Sequence, residues 1–381
     1  MAPQGQIKVN RLDNITYGVP SATSVADHVA ELSCERVYLI TSGSLARKTD
    51  EVDKIAAALG EKVVGRFSSI PAHSPRTAVI EATDSVRRAQ ADVIVTVGGG
   101  SVTDAAKAIQ LCLANGVTTV DGLTALLTAD DVQSPVVRQI AVPTTLSGGE
   151  FTGVAGVTNE VTGEKEIHKH PEIAPVAVVL DPEITRHTPE WLWTSTGVRA
   201  VDHCVEGVSS LQSNVYSDTH ALRGLTLLKD GLLACKQNPS DINARLDCQL
   251  GAWLSMGTTA SGAPMGASHG IGYVLGALCG VPHGHTSCIM LPAVMRWNKE
   301  ANAVRQQLVS EAMGHPGQAA GDVLAKFVAV LGLPRKLSDV GVGEDRFDEI
   351  ARQSMNTPWI PHNPREISDS SQIREILEMA K

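Results

Sequence analysis

The strongest constraint on the fold is a buried strand pattern that ends in three glycines and leads directly into a helix. Residues 91–97 read A-D-V-I-V-T-V, residues 98–100 are all glycine, and residues 102–114 have helical periodicity. Short apolar strands that alternate with amphipathic helices are typical of a parallel sheet covered by helices on both faces. The sequence therefore predicts an α/β domain in the first half of the chain.

Further patterns divide the chain into two parts. In the first half a helical pattern covers 75–90, and strand patterns cover 36–41, 62–67, 139–142 and 176–180. After Pro189 long helical periods dominate, at 197–210, 217–235, 243–259, 301–312, 319–331, 345–355 and 371–380. We predict an α/β domain at 1–185 and a helical domain at 186–381, with the active site in the cleft between them.

Composition narrows the classes of function. The net charge of −9 and the aromatic content of 3% disfavour nucleic acids and anionic membranes as partners. No uncharged apolar stretch reaches the length of about 18 residues that a membrane span needs, and residues 1–8 have no apolar signal core. Seven scattered cysteines without a C-x-x-C pair indicate reduced thiols. The sequence predicts a cytoplasmic protein.

The glycine run is suited to a phosphate. Glycines let a phosphate approach the backbone closely, and the N–H groups that begin the next helix bind it; the alternative is a plain tight turn. Asp104 and Lys107 lie three residues apart on that helix, which indicates a local ion pair. A second strand exit, P-T-T-L-S-G-G-E at 143–150, offers hydroxyls to the same sheet edge. Two such exits favour a dinucleotide.

The residue after the strand at 36–41 bears on the type of dinucleotide. Neither glycine-bearing exit has the G-x-G-x-x-G pattern. An acidic residue after such a strand would hold a ribose 2′-hydroxyl and reject a 2′-phosphate. Ser42 occupies this place and does neither, so NADP is permitted and NAD is not excluded.

Three histidines and an arginine form the second constellation. Arg199 and His203 are four residues apart and therefore neighbours on one helical face, while His269 and His283 lie in a glycine-rich stretch. The alternative is an exposed arginine beside a core histidine. A guanidinium stays charged, so it repels a metal dication and attracts an acidic substrate.

Together these motifs resemble the iron-containing (group III) alcohol dehydrogenase superfamily over nearly the whole chain. The resemblance is carried by G-G-G-S-V-T-D-A-A-K-A-I at 98–109, P-T-T-L-S-G-G-E at 143–150, D-P-E-I-T-R-H-T-P at 181–189, G-V-R-A-V-D-H-C-V-E at 197–206 and H-G-I-G-Y-V-L-G-A-L-C-G-V-P-H-G at 269–284. It implies the dehydroquinate synthase-like fold, in which an α/β dinucleotide-binding domain precedes an all-helical domain. It also implies cofactor contacts at Gly98, Gly99, Gly100, Ser101, Asp104, Thr144, Thr145, Ser147 and Lys165.

The resemblance includes one departure. Metal-dependent members have aspartate at the position of Arg199, and histidines at those of His203, His269 and His283. The departure resembles the maleylacetate reductase branch, in which that aspartate is commonly asparagine and no metal is needed. Arg199 itself matches neither branch.

We therefore expect an NAD(P)H-dependent reductase of a small carboxylated enone or carbonyl compound, for example maleylacetate reduced to 3-oxoadipate. It is expected to act without metal and, by the resemblance, as a homodimer. Arg199 and protonated histidines would stabilise the developing oxyanion, and His283 or His269 would donate the proton. A bound Fe or Zn ion would instead use His203, His269 and His283.

Other residues near these motifs receive structural roles. Asp202 and Glu206 are expected to orient His203 or to pair with nearby basic groups, and His168 and His170 to lie in a surface loop. Three alternatives stay open: a metal-dependent group III alcohol dehydrogenase, a dehydroquinate synthase-like cyclase or lyase, and a non-catalytic relic that binds cofactor.

Overall fold

The structure is a computed structural model, and it describes residues 14–381. Residues 1–13 lie outside the described part, and with them the stretch in which the sequence has no signal core. Contacts divide the chain into two compact units, of which one ends at Thr188 and the other begins at Pro189.

The first unit is built on a parallel sheet. Its strands are β1 Asn14–Tyr17, β2 Val37–Thr41, β3 Val63–Phe67, β4 Val93–Gly98, β5 Arg138–Pro143, β6 Val154–Thr158, β7 Lys165–Lys169 and β8 Ala177–Leu180. Six of them form one sheet in the order β1-β8-β5-β4-β2-β3, and every neighbouring pair is parallel. The strands predicted at 36–41, 62–67, 91–97, 139–142 and 176–180 all form, as β2, β3, β4, β5 and β8.

Both faces of this sheet are buried. Ile94 packs into an apolar cluster with Ile40 and Ile109, whereas its neighbour Val95 packs into another cluster with Leu39. Alternate residues of a strand point to opposite faces. A strand buried on both faces is apolar throughout, which is why these strands read as continuous apolar runs. The predicted fold class is confirmed.

Helices connect the strands of the first unit, and a hairpin accompanies them. The helices are α1 Ser21–Glu31, α2 Gly43–Lys48, α3 Glu51–Leu59, α4 Arg76–Arg88, α5 Gly100–Ala114 and α6 Val120–Ala125. The hairpin pairs β6 with β7 antiparallel and was not predicted. His168 lies within β7 opposite Ala155 and is buried, so the prediction of a surface loop is wrong for this residue. Every residue of β7 except Ile167 is polar, so the sequence has no apolar strand pattern there. His170 follows the strand and accepts a hydrogen bond from the Glu172 N–H.

The second unit is helical. Its helices are α7 Glu190–Ser209, α8 Val215–Gln237, α9 Ile242–Ser255, α10 Gly257–Ala260, α11 Ala267–Cys279, α12 His283–Ala312, α13 Ala320–Leu331, α14 Phe347–Ser354 and α15 Ser370–Met379. All seven helical patterns of the second half lie within these helices or overlap them. None of the helices in residues 14–381 has the length and apolar character that a membrane crossing requires.

Two helices of this unit differ from the sequence prediction. The glycine-rich stretch after His269 forms α11, because its glycines lie where neighbouring side chains approach closely. A Cβ on Gly272 would come within 2.8 Å of Thr286 Oγ1, and a Cβ on Gly270 within 2.9 Å of Thr357 Oγ1. Packing thus offsets the cost of about 1 kcal/mol for each helical glycine. In α12 the predicted helix forms only the last part, after a break in helical geometry at Asn302.

Candidate active site

Three helices of the second unit carry the predicted catalytic residues. Arg199 and His203 lie one turn apart on α7, His269 lies in the first turn of α11, and His283 is the first residue of α12. The rings of His203 and His269 have centroids 5.0 Å apart, and α12 packs against both α7 and α11. The structure thus places these side chains on adjoining helices, while their catalytic roles stay predictions.

Glu206 fixes the orientation of His269. Its buried carboxylate accepts backbone N–H groups from Gly266 at 3.1 Å, Ser268 at 2.9 Å and His269 at 3.3 Å, and His269 Nδ1 at 2.6 Å. These backbone groups begin α11, where a carboxylate is favourable. With Nδ1 donating to Glu206, the neutral ring presents Nε2 as an acceptor. Of the two roles expected for Glu206, the structure shows the second, pairing with a nearby basic group, because the ring that it holds is that of His269 and not that of His203.

Asp202 is a second buried carboxylate, and it neighbours Arg199. Its Oδ2 accepts the hydroxyls of Ser268 at 2.8 Å and Ser287 at 2.6 Å. The same oxygen lies 3.7 Å from Arg199 Nη1 and 3.7 Å from His269 Nδ1. Burial raises the pKa of Asp202; a proton on His269 would oppose that rise, the negative charge of Glu206 adds to it, and the charge of Arg199 opposes it. Asp202 therefore lies within ion-pair distance of the guanidinium.

The guanidinium of Arg199 is a permanent positive charge in this cluster. Only 19% of its side chain is exposed, and Nη1 donates to Ser287 Oγ at 3.1 Å. Burial lowers the pKa of Arg199, while Asp202 and Glu206 raise it; a guanidinium starts so high that it stays protonated. Its other N–H groups have no partner within residues 14–381, so they are available to a bound anion.

The imidazoles of His203 and His269 are neutral. Burial lowers the pKa of His203 well below its usual value; a proton on His269 would lower it further, and so does the charge of Arg199. Burial and then Arg199 lower the pKa of His269 to about 3, against the opposing effect of Asp202. The expectation of protonated histidines is wrong for these two. His203 Nδ1 and His269 Nε2 are buried without a hydrogen-bond partner in the described chain, and such nitrogens mark a place for a ligand.

His283 is held at the start of α12 by close packing. A Cβ on Gly276 of α11 would come within 3.1 Å of His283 Cε1, and a Cβ on Gly284 within 2.6 Å of the Ser195 backbone on α7. Glycine at these two positions lets α12 approach both helices. Ser287, which binds Arg199 and Asp202, lies one turn after His283. Ser287 was not among the residues predicted from the sequence, although its i, i+4 spacing from His283 was a signal.

Arg199 disfavours a divalent metal in this cluster, although three of its neighbours could act as ligands. Ligand atoms of Asp202, Glu206 and His269 lie within 4.8 Å of one another. However, Glu206 already accepts the four N–H groups described above, and Asp202 Oδ2 accepts two hydroxyls. The fourth position of the family's ligand set is Arg199, and a guanidinium repels a dication instead of binding it. In the described chain, Asp202 Oδ1, His203 Nδ1 and His269 Nε2 remain without a hydrogen-bond partner, beside a fixed positive charge.

The predicted phosphate cradle lies in the first unit, at the carboxyl ends of neighbouring strands. The N–H of Ser42, after β2, donates to Val97 O at 2.8 Å, and the N–H of Thr144, after β5, donates to Gly98 O at 3.0 Å. A Cβ on Gly99 would come within 3.0 Å of Thr145 Cγ2. The strand exits predicted at 98–101 and 143–150 therefore meet at one edge of the sheet.

This edge fits a phosphate group. A Cβ on Gly100 would come within 3.0 Å of Ser147 Oγ, and the hydroxyls of Thr145 and Ser147 are 3.3 Å apart. Both hydroxyls face the start of α5. There the N–H groups of Val102 and Thr103 donate to Gly99 O, whereas those of Gly100 and Ser101 have no acceptor in the described chain and can bind an anion. The arrangement fits the pyrophosphate of a dinucleotide.

Asp104 and Lys107 anchor the neighbouring segments. Their predicted ion pair forms at 3.4 Å. The fully buried Lys107 also donates to the carbonyl oxygens of Gly149 and Val154, and Asp104 accepts the Gly156 N–H at 3.1 Å. The side chain of Lys165 crosses Gly156, where an added Cβ would overlap it. Lys165 therefore lies beside Gly156, whose N–H donates to Asp104.

A further loop reaches α5 that the sequence did not single out. His73 and Ser74 both have positive φ, 65° and 50°, which costs a non-glycine residue about 1–3 kcal/mol. The His73 N–H donates to Ser101 Oγ at 3.0 Å, and Ser74 Oγ donates to Ser101 O at 2.7 Å. Thr158 Oγ1 donates to His73 O at 2.8 Å. The first turn of α5 is thus tied to a strained loop.

Comparison with known proteins covers both units. The family profile described as "Iron-containing alcohol dehydrogenase" matches residues 13–182, and "Fe-containing alcohol dehydrogenase family, C-terminal" matches residues 193–381. The dehydrogenase FUM7 of Gibberella moniliformis is 36% identical, over 96% of this chain and 95% of that protein. A maleylacetate reductase of Rhizobium sp. is 30% identical, over 96% of this chain and 95% of that protein.

A solved structure of the same family has a similar fold. The crystal structure of maleylacetate reductase from Agrobacterium tumefaciens superposes with a TM-score of 0.84 at 28% identity, covering 99% of this chain and 98% of that one.

Proposed function

Because the chain belongs to the iron-containing alcohol dehydrogenase family and is an oxidoreductase, we propose that it reduces a small carboxylated enone or carbonyl compound with NAD(P)H, without a metal. Maleylacetate, reduced to 3-oxoadipate, is the model substrate. One observation carries the proposal: a guanidinium with unpartnered donors, countered by Asp202, stands beside two unpartnered imidazole nitrogens.

The first unit binds the cofactor and the second binds the substrate. When bound, NAD(P)H supplies the hydride. In the first unit, Gly98, Gly99, Gly100, Ser101, Thr144, Thr145 and Ser147 bind its pyrophosphate, Ser42 lies at the adenosine ribose, and Asp104 and Lys165 complete the cofactor site. In the second unit, Arg199 binds the substrate carboxylate through its free N–H groups.

The imidazoles orient the substrate and supply the proton. Glu206 holds His269 with Nε2 as an acceptor, so that ring has no Nε2 proton to give. We therefore assign the proton donor to His283, at the start of α12, and assign His203 and His269 to positioning. Arg199 remains charged throughout and stabilises negative charge that develops on the substrate oxygen.

Replacement of Arg199 tests the anchoring role. A charge-assisted hydrogen bond contributes about 1.5–3 kcal/mol, so Arg199→Ala should raise KM for maleylacetate and related acidic substrates about 10- to 100-fold. KM for NAD(P)H should not change. KM of Arg199→Lys for these substrates should lie between those of the wild type and Arg199→Ala, because lysine keeps the positive charge but not the forked pair of N–H donors. Arg296→Ala, which removes an exposed arginine paired with Asp322, is the matched control.

The alternatives give different results in one substrate screen. Acidic enones and carbonyl compounds are assayed with NADH and NADPH, with and without a chelator. Loss of turnover with chelator would favour the metal-dependent alcohol dehydrogenase. Conversion without net NAD(P)H consumption would favour the cyclase or lyase, and cofactor binding without any turnover the relic. An unchanged KM and turnover of Arg199→Ala for every active substrate would refute the anchor.

The proposal includes a cytoplasmic homodimer that binds neither nucleic acid nor membrane. The free state of all seven cysteines supports a reducing compartment. Light scattering after size exclusion measures the number of chains directly.

A further inference from the structure

The residues that follow β2 lie beside the phosphate cradle. A Cβ on Gly98 would come within 3.2 Å of Ser42 Cβ and 3.3 Å of Ser42 N, so Ser42 adjoins the glycine turn after β4. In open α/β sheets the adenosine ribose reaches the strand next to that turn. An acidic residue there holds the 2′-hydroxyl, whereas a nearby arginine accommodates a 2′-phosphate.

Arg47 presents its guanidinium at this place. A Cβ on Gly43 would come within 2.9 Å of Arg47 Nη1 and 3.6 Å of Arg47 Cζ. The side chain therefore folds back over the first residue of α2, toward the end of β2, while Arg47 stays exposed to solvent.

Arg47 also differs from every other arginine of residues 14–188. Each of the others donates a hydrogen bond to a carbonyl, a hydroxyl or a side-chain oxygen: Arg36, Arg66, Arg76, Arg87, Arg88, Arg138 and Arg186. Among the described residues, Arg47 has no such partner. A guanidinium held over a glycine without a protein partner is available to an external anion.

The surroundings suit a phosphate more than a ribose hydroxyl. The hydroxyls of Ser42 and Ser44 lie 2.9 Å apart, and residues 42–49 contain no acidic side chain. The next carboxylates, Asp50 and Glu51, are paired with Lys54 at 3.0 Å and 2.7 Å. Lys48 adds a second positive charge. This cluster is basic in a chain whose net charge is −9.

We propose that Ser42, Ser44 and Arg47 bind the 2′-phosphate of NADPH, so that the protein prefers NADPH to NADH. The inference rests on the proposed function only in taking the cofactor to be a nicotinamide dinucleotide. The 2′-phosphate carries about −1.5 to −2 charges near pH 7 and offers oxygens that match a guanidinium fork. NADH has a hydroxyl there, which Arg47 binds weakly.

A binding experiment tests this without turnover. NADPH, NADH and the adenosine fragments 2′,5′-ADP and 5′-AMP are titrated by calorimetry. The wild type should bind NADPH at least ~10-fold more tightly than NADH. Arg47→Ala should weaken NADPH and 2′,5′-ADP about 10- to 100-fold and leave NADH and 5′-AMP within about 2-fold. Ser42→Asp should reverse the preference, because aspartate holds a 2′-hydroxyl and repels the phosphate.

Arg88→Ala is the control. Arg88 ends α4 shortly before β4 begins, whereas the phosphate cradle follows the end of β4, so this change should alter neither affinity. Equal binding of NADPH and NADH by the wild type, or equal weakening of both by Arg47→Ala, overturns the inference and leaves the proposed function intact. Failure of the wild type to bind either dinucleotide overturns both.

Discussion

Removal of the Glu206 carboxylate is the most informative single change to the folded protein. Glu206 is buried and accepts three backbone N–H groups and His269 Nδ1. Glu206→Ala leaves all four donors without an acceptor, at about 1–3 kcal/mol for each buried donor. Local relaxation and water entry reduce the sum, so we expect a loss of about 3–5 kcal/mol in the free energy of unfolding, as for breaking a buried charged pair.

Glu206→Gln separates charge from shape. Oε2 accepts Gly266, His269 N and His269 Nδ1, whereas Oε1 accepts only Ser268. With the glutamine oxygen in place of Oε2, the Ser268 N–H faces an NH₂ group. The expected loss in the free energy of unfolding is about 1–3 kcal/mol. Turnover should fall in both variants, because the orientation of His269 is no longer fixed.

Urea unfolding followed by tryptophan fluorescence is the assay. All five tryptophans lie at positions 191, 193, 253, 297 and 359, so the signal reports the second unit. Glu300→Ala, an exposed glutamate on α12, should stay within about 0.5 kcal/mol of the wild type. A loss below about 1 kcal/mol for Glu206→Ala, or equal losses for alanine and glutamine, would refute the reasoning.

Two further changes test other parts of the structure. Burial raises the pKa of Glu150 to about 7 from 4.5, so the folded state favours the protonated acid and the free energy of unfolding falls as pH rises through that interval. Relative to Glu150→Gln, the wild type should lose about 2–3 kcal/mol between roughly pH 5 and pH 8. A difference between the two proteins in urea unfolding that does not depend on pH would contradict this. Gly284→Ala places a Cβ within 2.6 Å of the Ser195 backbone. The clash should separate α12 from α7, lower the free energy of unfolding by about 1–3 kcal/mol and displace His283. Full stability and full turnover in the same assays would show that the contact does not matter.

The fold was predictable because its strands are buried on both faces. The apolar runs at 36–41 and 91–97 gave β2 and β4, and the glycines at 98–100 gave the turn into α5. The helix α11 was missed because single-residue propensities disfavour its glycines. Glycine is required there because Thr286 and Thr357 approach the helix closely. Both residues are distant in sequence, so a local pattern does not include them.

The site was predictable as a set of residues and not as a network. The i, i+4 spacing placed Arg199 and His203 on one face of α7, and the superfamily resemblance pointed to His269 and His283. Glu206, however, contacts a residue 63 positions away, and Asp202 reaches Ser287 at 85 positions. Helical spacing describes only contacts within one helix. It therefore could not decide whether Asp202 and Glu206 orient His203 or pair with other basic groups, and it did not name Arg199 and His269 as those groups.

Replacement of a metal ion by the Arg199 guanidinium is tested most directly by counting metal. The protein is produced with added iron and zinc, purified without chelator and analysed for bound elements beside Arg199→Asp, which restores the family's acidic ligand. The wild type should hold far less than one ion per chain and keep its turnover in chelator, whereas Arg199→Asp should gain up to about one. About one tightly held iron or zinc ion per wild-type chain, with turnover lost on its removal, would contradict the replacement.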